Sequence, residues 1–435
     1  MNILVIGSGA REHAIVRAIE QSPKNKKIFC LGSSVNPGIA ELCDDFTVAN
    51  INHAQTITSY AEKKAADLAI IGPENPLAIG VADALWAVGV KAVGPMKDLA
   101  QIETSKAFAR DLLTEYNIPG SPRYKKFSSL DGVAEFLNEL GENYVVKFDG
   151  WAGGKGVKVS GDHLHSHDDA KGYCQELVEK GSVFILEEKL IGQEFSLMSF
   201  CDGETLKHMP AVQDHKRAYN GDTGPNTGGM GTYSDWDHSL PFLTKNDIDQ
   251  AHEINIATAK ALKDKFGYGY KGVLYGGFIA TADGVKLIEY NARFGDPEAM
   301  NVLSLLESDF IEICNGITDC RLNRVNVRFK NKATVCKYAV PEGYPDNPVK
   351  GESIDLSNIE NPDTLFYASV DMHNGKLIEA GSRTVAVVGM AESISAAEQI
   401  AEKEVSAVGG PLFHRTDIGT DLLVHQRVKQ MELLR

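Results

Sequence analysis

The stretch Val145-Val146-Lys147-Phe148-Asp149-Gly150-Trp151-Ala152-Gly153-Gly154-Lys155-Gly156-Val157 decides the fold. A lysine stands inside a predicted strand, and four glycines fall within the seven residues after the aspartate. Both features cost stability, because glycine raises the entropy lost on ordering and a strand lysine needs a counter-charge. A bound polyphosphate supplies that charge, with the loop amides closing over it. The segment is not a Walker A loop, since its Gly154-Lys155 is followed by glycine rather than serine or threonine. Taken alone, it also fits a flexible hairpin turn.

The flanks make a compact unit from about residue 123 to 190. The pattern predicts a helix over Leu130–Leu140, strands at Tyr144–Phe148 and Val157–Ser160, a helix over Asp168–Glu179 and a strand at Val183–Glu187. That last strand ends in Glu187-Glu188-Lys189-Leu190, with Glu194 beyond Gly192. Its backbone suits an adenine edge and Glu194 suits ribose hydroxyls, although a solvated strand end reads the same way. Upstream, Ser105-Lys106 opens a helix to Tyr116 and places another lysine near the phosphates. Ile118-Pro119-Gly120-Ser121-Pro122 is a strong breaker and marks a boundary.

Before residue 100 strands and helices alternate. Asn2–Ile6, Lys27–Leu31, Leu68–Ile71 and Lys91–Val93 read as strands of a parallel sheet with right-handed crossovers, with ligands expected at the carboxyl ends. Gly7-x-Gly9 after the first strand invites a dinucleotide reading, but Glu12 occupies the position of the third glycine. No acidic residue ends the second strand, so nicotinamide binding is disfavoured. The turn still offers a helix N-terminus to a phosphate.

Downstream, Glu289 and Asn291 in Leu287-Ile288-Glu289-Tyr290-Asn291 share one strand face and give two hard oxygen donors, as a nucleotide-borne magnesium requires. Arg293 follows directly and suits a carboxylate or a transferring phosphoryl group. Asp296 is expected to cap a helix whose first turn holds Pro297; a capped helix with a structural ion pair is the plainer alternative. The segment Asp214-His215-Lys216-Arg217, with Gly224-Pro225-Asn226-Thr227-Gly228-Gly229-Met230-Gly231, reads as a long functional loop without secondary structure of its own. The last 105 or so residues alternate strands with one clear helix, Ile394–Ala407.

Composition bounds the partners. The chain has 435 residues, about three domains' worth, with 43% hydrophobic and 24% charged residues, an ordinary folded globule. A net charge of −15 argues against general nucleic-acid or anionic-membrane binding. Seven scattered cysteines without a Cys-x-x-Cys argue for a reducing compartment and against a zinc site. The N-terminus lacks a leader pattern, and no run reaches the ~18 apolar residues of a membrane helix. A cytoplasmic protein is expected.

Together these motifs resemble the ATP-grasp superfamily and, within it, the phosphoribosylamine–glycine ligases of purine synthesis. The carrying residues are Gly7–Ala14, Gly72–Leu77 (GPENPL), Ser105-Lys106, Lys147–Val157, DHKR with GPNTGGMG, and Asn291–Glu298 (NARFGDPE). Phe148, Trp151, Gly153, Asn75 and Met300 depart from that pattern without removing a charged or metal-binding residue. The resemblance implies an α/β and α+β multidomain fold. A Rossmann-like parallel-sheet domain is expected over 1–103 and an ATP-grasp central subdomain over 104–122 and 191–328. An ATP-grasp lid is expected over 123–190 and a C-terminal α+β lobe over 329–435. It implies ligation of glycine to 5-phosphoribosylamine with ATP, through glycyl phosphate and with Mg2+ or Mn2+, by a monomer or small homo-oligomer. ATP is then assigned to Lys106, Lys147, Gly153, Gly154, Lys155, Gly156, Glu187, Glu188, Leu190 and Glu194, and the metal to Glu289 and Asn291. Catalysis is assigned to Arg293 and Lys147. The substrates go to Gly9, Asp214, Lys216, Asn226, Thr227, Gly228, Gly229, Met230, Gly231, Arg293 and Asp296. Another ATP-grasp ligase or carboxylase would share Lys147, Glu289 and Asn291 without needing the DHKR and GPNTGGMG segments. A non-catalytic nucleotide binder would not need Arg293.

Overall fold

Short apolar runs punctuated by glycine form the expected N-terminal sheet. In the computed structural model, which describes residues 1–150 and 156–435, it has five parallel strands. Their order is Asp45–Val48, Lys27–Gly32, Asn2–Ile6, Leu68–Ile71 and Lys91–Val93. Gly7, Gly72 and Gly94 end three of the strands on one rim. Glu12 explains why two of them are glycine: a Cβ on Gly72 would lie 2.0 Å from Glu12 Oε1, and one on Gly7 2.7 Å from its Cδ.

Residues around the Lys147 strand build a second, antiparallel sheet in the order Tyr124–Phe127, Phe184–Glu188, Tyr144–Phe148, Val157–Val159. Helices Val133–Leu140 and His167–Glu179 supply Phe136, Leu137 and Cys174 to a core that also holds Val146, Phe184 and Leu186. This core is separate from the main one.

The central antiparallel sheet runs Leu206–His208, Gln193–Asp202, Lys271–Thr281, Gly284–Asn291. It is packed by the 22-residue helix Lys245–Phe266, which a Thr244–Asp247 capping box opens and Gly267 closes in a left-handed turn. A further sheet joins Gln213–Asp214 and Gly231–Ser234 to Ala333–Pro341, Val385–Ala391 and Leu365–Tyr367. Gly231 is needed there, since a Cβ would lie 2.2 Å from the Cys336 carbonyl oxygen.

Three expectations are corrected. The segment after Lys216 is not free of secondary structure: Arg217–Tyr219 and Thr223–Asn226 pair as a hairpin. The helix after NARFGDPE begins at Glu298, with Pro297 rather than Asp296 in the capping position. Asp296 is instead drawn off by Tyr338, whose hydroxyl donates to it at 2.6 Å, and by Arg383 at 3.2 Å. Finally, a second long helix, Asp421–Leu434, ends the chain.

Candidate active site

The site begins with an irregularity in the strand Gly284–Asn291. Gly277 pairs with Glu289 while Phe278 pairs with Leu287, so Ile288 is an extra, bulged residue. Leu287 and Tyr290 turn into the core, leaving Glu289 and Asn291 together on the open face. The Ile288 carbonyl accepts from Arg110 Nη2 at 2.7 Å and from Lys147 Nζ at 3.3 Å.

Lys147 finds its counter-charge within the chain. Glu187 Oε2 lies 2.6 Å from its ammonium, and Glu187 Oε1 accepts from Arg110 Nε at 2.6 Å. Burial alone would raise the Glu187 carboxyl, but Arg110 and Lys147 outweigh it and bring it from 4.5 to about 2. That carboxylate is therefore occupied. Two cations against one anion leave the group positive, as a polyphosphate needs. The same cluster fixes a pH dependence. The unfolded chain protonates Glu187 near 4.5 and the folded chain near 2, so this stabilisation is complete above pH 4.5 and is lost as pH falls toward 2. Glu187→Gln should cost about 3–5 kcal/mol at neutral pH and flatten the acid limb of an unfolding curve. An unchanged limb would remove Glu187 from that account.

Lys106 opens the helix Lys106–Glu115, which Ser105 caps through the Phe108 N–H at 3.0 Å. Its ammonium reaches the Gly150 carbonyl at 3.2 Å. Asp149 also meets this helix end, accepting from Ala107 N at 3.0 Å and from the Ser105 hydroxyl at 3.1 Å. Glu188 faces outward to Arg123 at 2.9 Å, and Glu194 stands at the cleft beyond Leu190. Phe148 N donates to the Gly156 carbonyl at 2.8 Å. Gly153, Gly154 and Lys155 lie outside the described residues.

A narrow cleft is lined among others by Glu194, Asp214, Lys216, Tyr275 and Glu289. The Lys216 ammonium lies 3.8 Å from Glu289 and 3.9 Å from Glu194. Burial would lower it, but Glu289, Glu194 and Asp214 outweigh that and hold it above the usual lysine range. The Asp214 carboxyl is pushed well up by burial and by Glu298. For Glu289, burial is outweighed by Lys216, Lys147 and Lys106, which keep it ionised.

Thr227 donates twice to the Lys216 carbonyl, from N at 2.7 Å and Oγ1 at 2.9 Å. Arg383 Nη1 donates to the carbonyls of Gly228 at 2.6 Å and Asp296 at 2.9 Å. The exposed Asn226 ends the hairpin. The Met230 side chain is fully buried in the core. Neither it nor Gly231 lines the cleft.

Arg293 sits between two carboxylates that the sequence reading missed, Glu74 at 3.4 Å and Glu103 at 3.2 Å. Glu103 also accepts from Ala292 N at 2.6 Å, and burial pushes its carboxyl up. Glu74 lay in plain view in the GPENPL motif; nothing near Glu103 in sequence signalled it. Arg293 Nε is buried without a hydrogen-bond partner among the described residues. At the N-terminal rim, the Gly9 N–H donates to Glu12 Oε2 at 2.6 Å. A carboxylate thus engages this amide where a dinucleotide fold presents its pyrophosphate.

No group of three or more His, Cys, Asp or Glu among the described residues is arranged for a metal. The pair Glu289 and Asn291 nonetheless fits a magnesium-type ion, which takes one or two protein oxygens and completes its shell with phosphates and water.

The family models for the N, ATP-grasp (A) and C domains of phosphoribosylglycinamide synthetase match residues 1–103, 104–299 and 334–421. A phosphoribosylamine–glycine ligase of Methanosarcina barkeri is 49% identical over 435 residues, covering 100% of both chains. That of Methanocaldococcus jannaschii is 49% identical over 445 residues, again covering 100% of both. The crystal structure of phosphoribosylamine–glycine ligase from Thermotoga maritima has a TM-score of 0.78 at 25% identity, covering 96% of this chain and 100% of that one. N5-carboxyaminoimidazole ribonucleotide synthetase from the same organism shares the fold, with a TM-score of 0.63 at 14% identity over 94% of this chain and 98% of that one.

Proposed function

The chain belongs to the phosphoribosylglycinamide synthetase family, and from that premise we propose that it joins glycine to 5-phosphoribosylamine with ATP, giving glycinamide ribonucleotide, ADP and phosphate in purine synthesis. It is a carbon–nitrogen ligase. The observation that carries the reading is the convergence of Lys216, Lys147 and Lys106 on Glu289, a carboxylate that lines the cleft with Lys216.

A carboxylate is a poor acyl donor. Its oxygen attacks the γ-phosphorus of ATP, ADP departs, and glycyl phosphate forms. The amine nitrogen of phosphoribosylamine then attacks the acyl carbon, phosphate leaves with the C–O electron pair, and the nitrogen loses a proton. No protein nucleophile is required, so positioning and charge neutralisation supply the catalysis. Lys106 and the positive Lys147–Glu187–Arg110 group hold the nucleotide phosphates. The strand end from Glu187 through Glu188 to Leu190 takes adenine through its backbone, and Glu194 the ribose. Glu289 and Asn291 would hold Mg2+ or Mn2+, which when bound neutralises phosphate oxygens. Arg293, with Glu74 and Glu103 steadying it, faces the acyl phosphate. Asp214, Lys216 and residues 226–229 hold glycine and the phosphoribosyl group, with Asp296 fixed at their edge.

The Lys147 sheet acts as the lid over 123–190, on a core of its own. Residues 1–103, 104–122 with 191–328, and 329–435 form the other units. No helix among the described residues is long and apolar enough to cross a membrane; with the seven cysteines all free thiols and a net charge of −15, this supports a cytoplasmic enzyme that binds no nucleic acid.

The test is phosphate release from Mg-ATP with glycine and freshly generated phosphoribosylamine, each omitted in turn. Release that needs both, with ADP and a new amide, is the expected result. Release with neither, or equally with other carboxylates, would reassign the substrates.

A further inference from the structure

The hairpin Arg217–Asn226 is ordered without a core. Ala218 is its one fully buried residue, and Tyr219 is 47% exposed. A two-stranded hairpin of this kind is marginal in water by itself. What seats it is a three-residue segment nearly two hundred positions later, Arg415-Thr416-Asp417. Arg415 is 1% exposed. Its Nη1 donates to Asp222 Oδ1 at 2.9 Å and to the Arg217 carbonyl at 3.1 Å, at the tip and the root of the hairpin. Its Nε and Nη2 are held by Asp417 at 2.9 and 2.7 Å. Asn220 and Thr416 exchange two hydrogen bonds, at 2.8 and 3.1 Å, and Gly221 N donates to Asp417 at 2.9 Å. Arg427, from the last helix, closes on Asp222 from the other side.

We propose that Arg415 is a positioning residue for the ligation: by seating the hairpin through Asp222, it sets Lys216 at one hairpin end and Thr227–Gly229 at the other over the cleft. This rests on the reading of Asp214–Gly229 as the segment that holds the substrates. The seat is itself anchored. The Thr416 carbonyl accepts from the fully buried Lys337 at 3.0 Å, which two glutamates, Glu398 and Glu402, hold at 2.6 Å each. Lys337 pairs in register with Gly231, the residue that ends the same segment. Asp222 stays ionised, since Arg427 and Arg415 outweigh its burial and hold it near about 2. The C-terminal lobe thus contributes to substrate placement through Arg415.

The experiment compares KM for glycine, phosphoribosylamine and ATP, with melting temperature, in Arg415→Ala, Asp222→Asn, Asp222→Glu, Asn220→Ala and Lys216→Ala. A misplaced substrate group costs an order of magnitude or more. Arg415→Ala and Asp222→Asn should therefore raise KM for glycine or phosphoribosylamine roughly tenfold, with KM for ATP within about twofold. Asp222→Glu should recover part of the loss, and Asn220→Ala should show a smaller effect of the same kind. If Arg415→Ala does not fold, Asp222→Asn and Asn220→Ala decide. Unchanged substrate KM in those two, with Lys216→Ala raising it, overturns the positioning role. Unchanged KM in Lys216→Ala overturns the substrate-segment reading and the proposal with it. An equal rise in all three constants alongside a lower melting temperature makes Arg415 structural and overturns the proposal.

Discussion

Glu289→Ala is expected to lower phosphate release by about a thousandfold or more, the scale of several kcal/mol of lost charge stabilisation. The substitution removes one of only two oxygen donors that the strand offers on its open face. It also unbalances the site, because Lys216, Lys147, Lys106 and Arg293 all act on this carboxylate. The fold should survive, since the Glu289 side chain is 37% exposed and the register around it is set by the bulge at Ile288 rather than by its carboxylate. A steady-state phosphate assay across a magnesium series, with melting temperature as control, checks both halves. Normal turnover would sink the metal assignment. A Glu289→Gln variant that regains activity at high magnesium would strengthen it.

Arg293→Ala is expected to lower kcat by about 10²–10³-fold, as the loss of a preorganised donor does, and kcat/KM in step with it. Glu103 and Glu74 fix the guanidinium before any ligand arrives, so the reaction does not have to organise it. Those acids also lift the arginine above its usual range, against the effect of burial, so it stays charged throughout. Removing it leaves Glu74 and Glu103 without their cation, and Glu103, already pushed up by burial, should take a proton. Arg293→Ala combined with Glu103→Gln separates the two costs: restored stability with activity still low is the expected pattern. A loss of less than tenfold in the single variant would move Arg293 to a structural role.

What could be read from the sequence follows from how local its cause is. The runs Ile3–Ile6 and Leu68–Ile71 are fully buried, apolar and ended by glycine, and Lys147, Glu289 and Asn291 announce themselves by standing on strands. The strand Asp45–Val48 escaped notice because its polar–apolar alternation spans only four residues and none of them is fully buried. The Asp421–Leu434 helix escaped because it buries only Leu423 and Met431. Asp296 was assigned to the nearest helix end, when Arg383 and Tyr338, from the distant lobe, compete for it. The ion pair of Glu187 with Arg110 escaped because Arg110, 77 positions earlier, gives no local sign of it. The hairpin after Lys216 was hidden for a similar reason: its composition is that of a loop, and its order comes from Arg415.

The sheet that binds Gly231–Ser234 to Ala333–Pro341 sets a timetable for the newborn chain. Its two central partners are separated by about a hundred residues. At a synthesis rate of about 5–20 residues per second, the earlier strand waits on the order of 5–20 seconds for the later one. During that interval its unpaired edge is an open template for other chains. The central sheet, whose strands are complete by Asn291, can form first and shelter it. A ribosome stalled between residues 293 and 333 would hold out a nearly finished catalytic half with one raw edge, the state in which this chain most needs an escort.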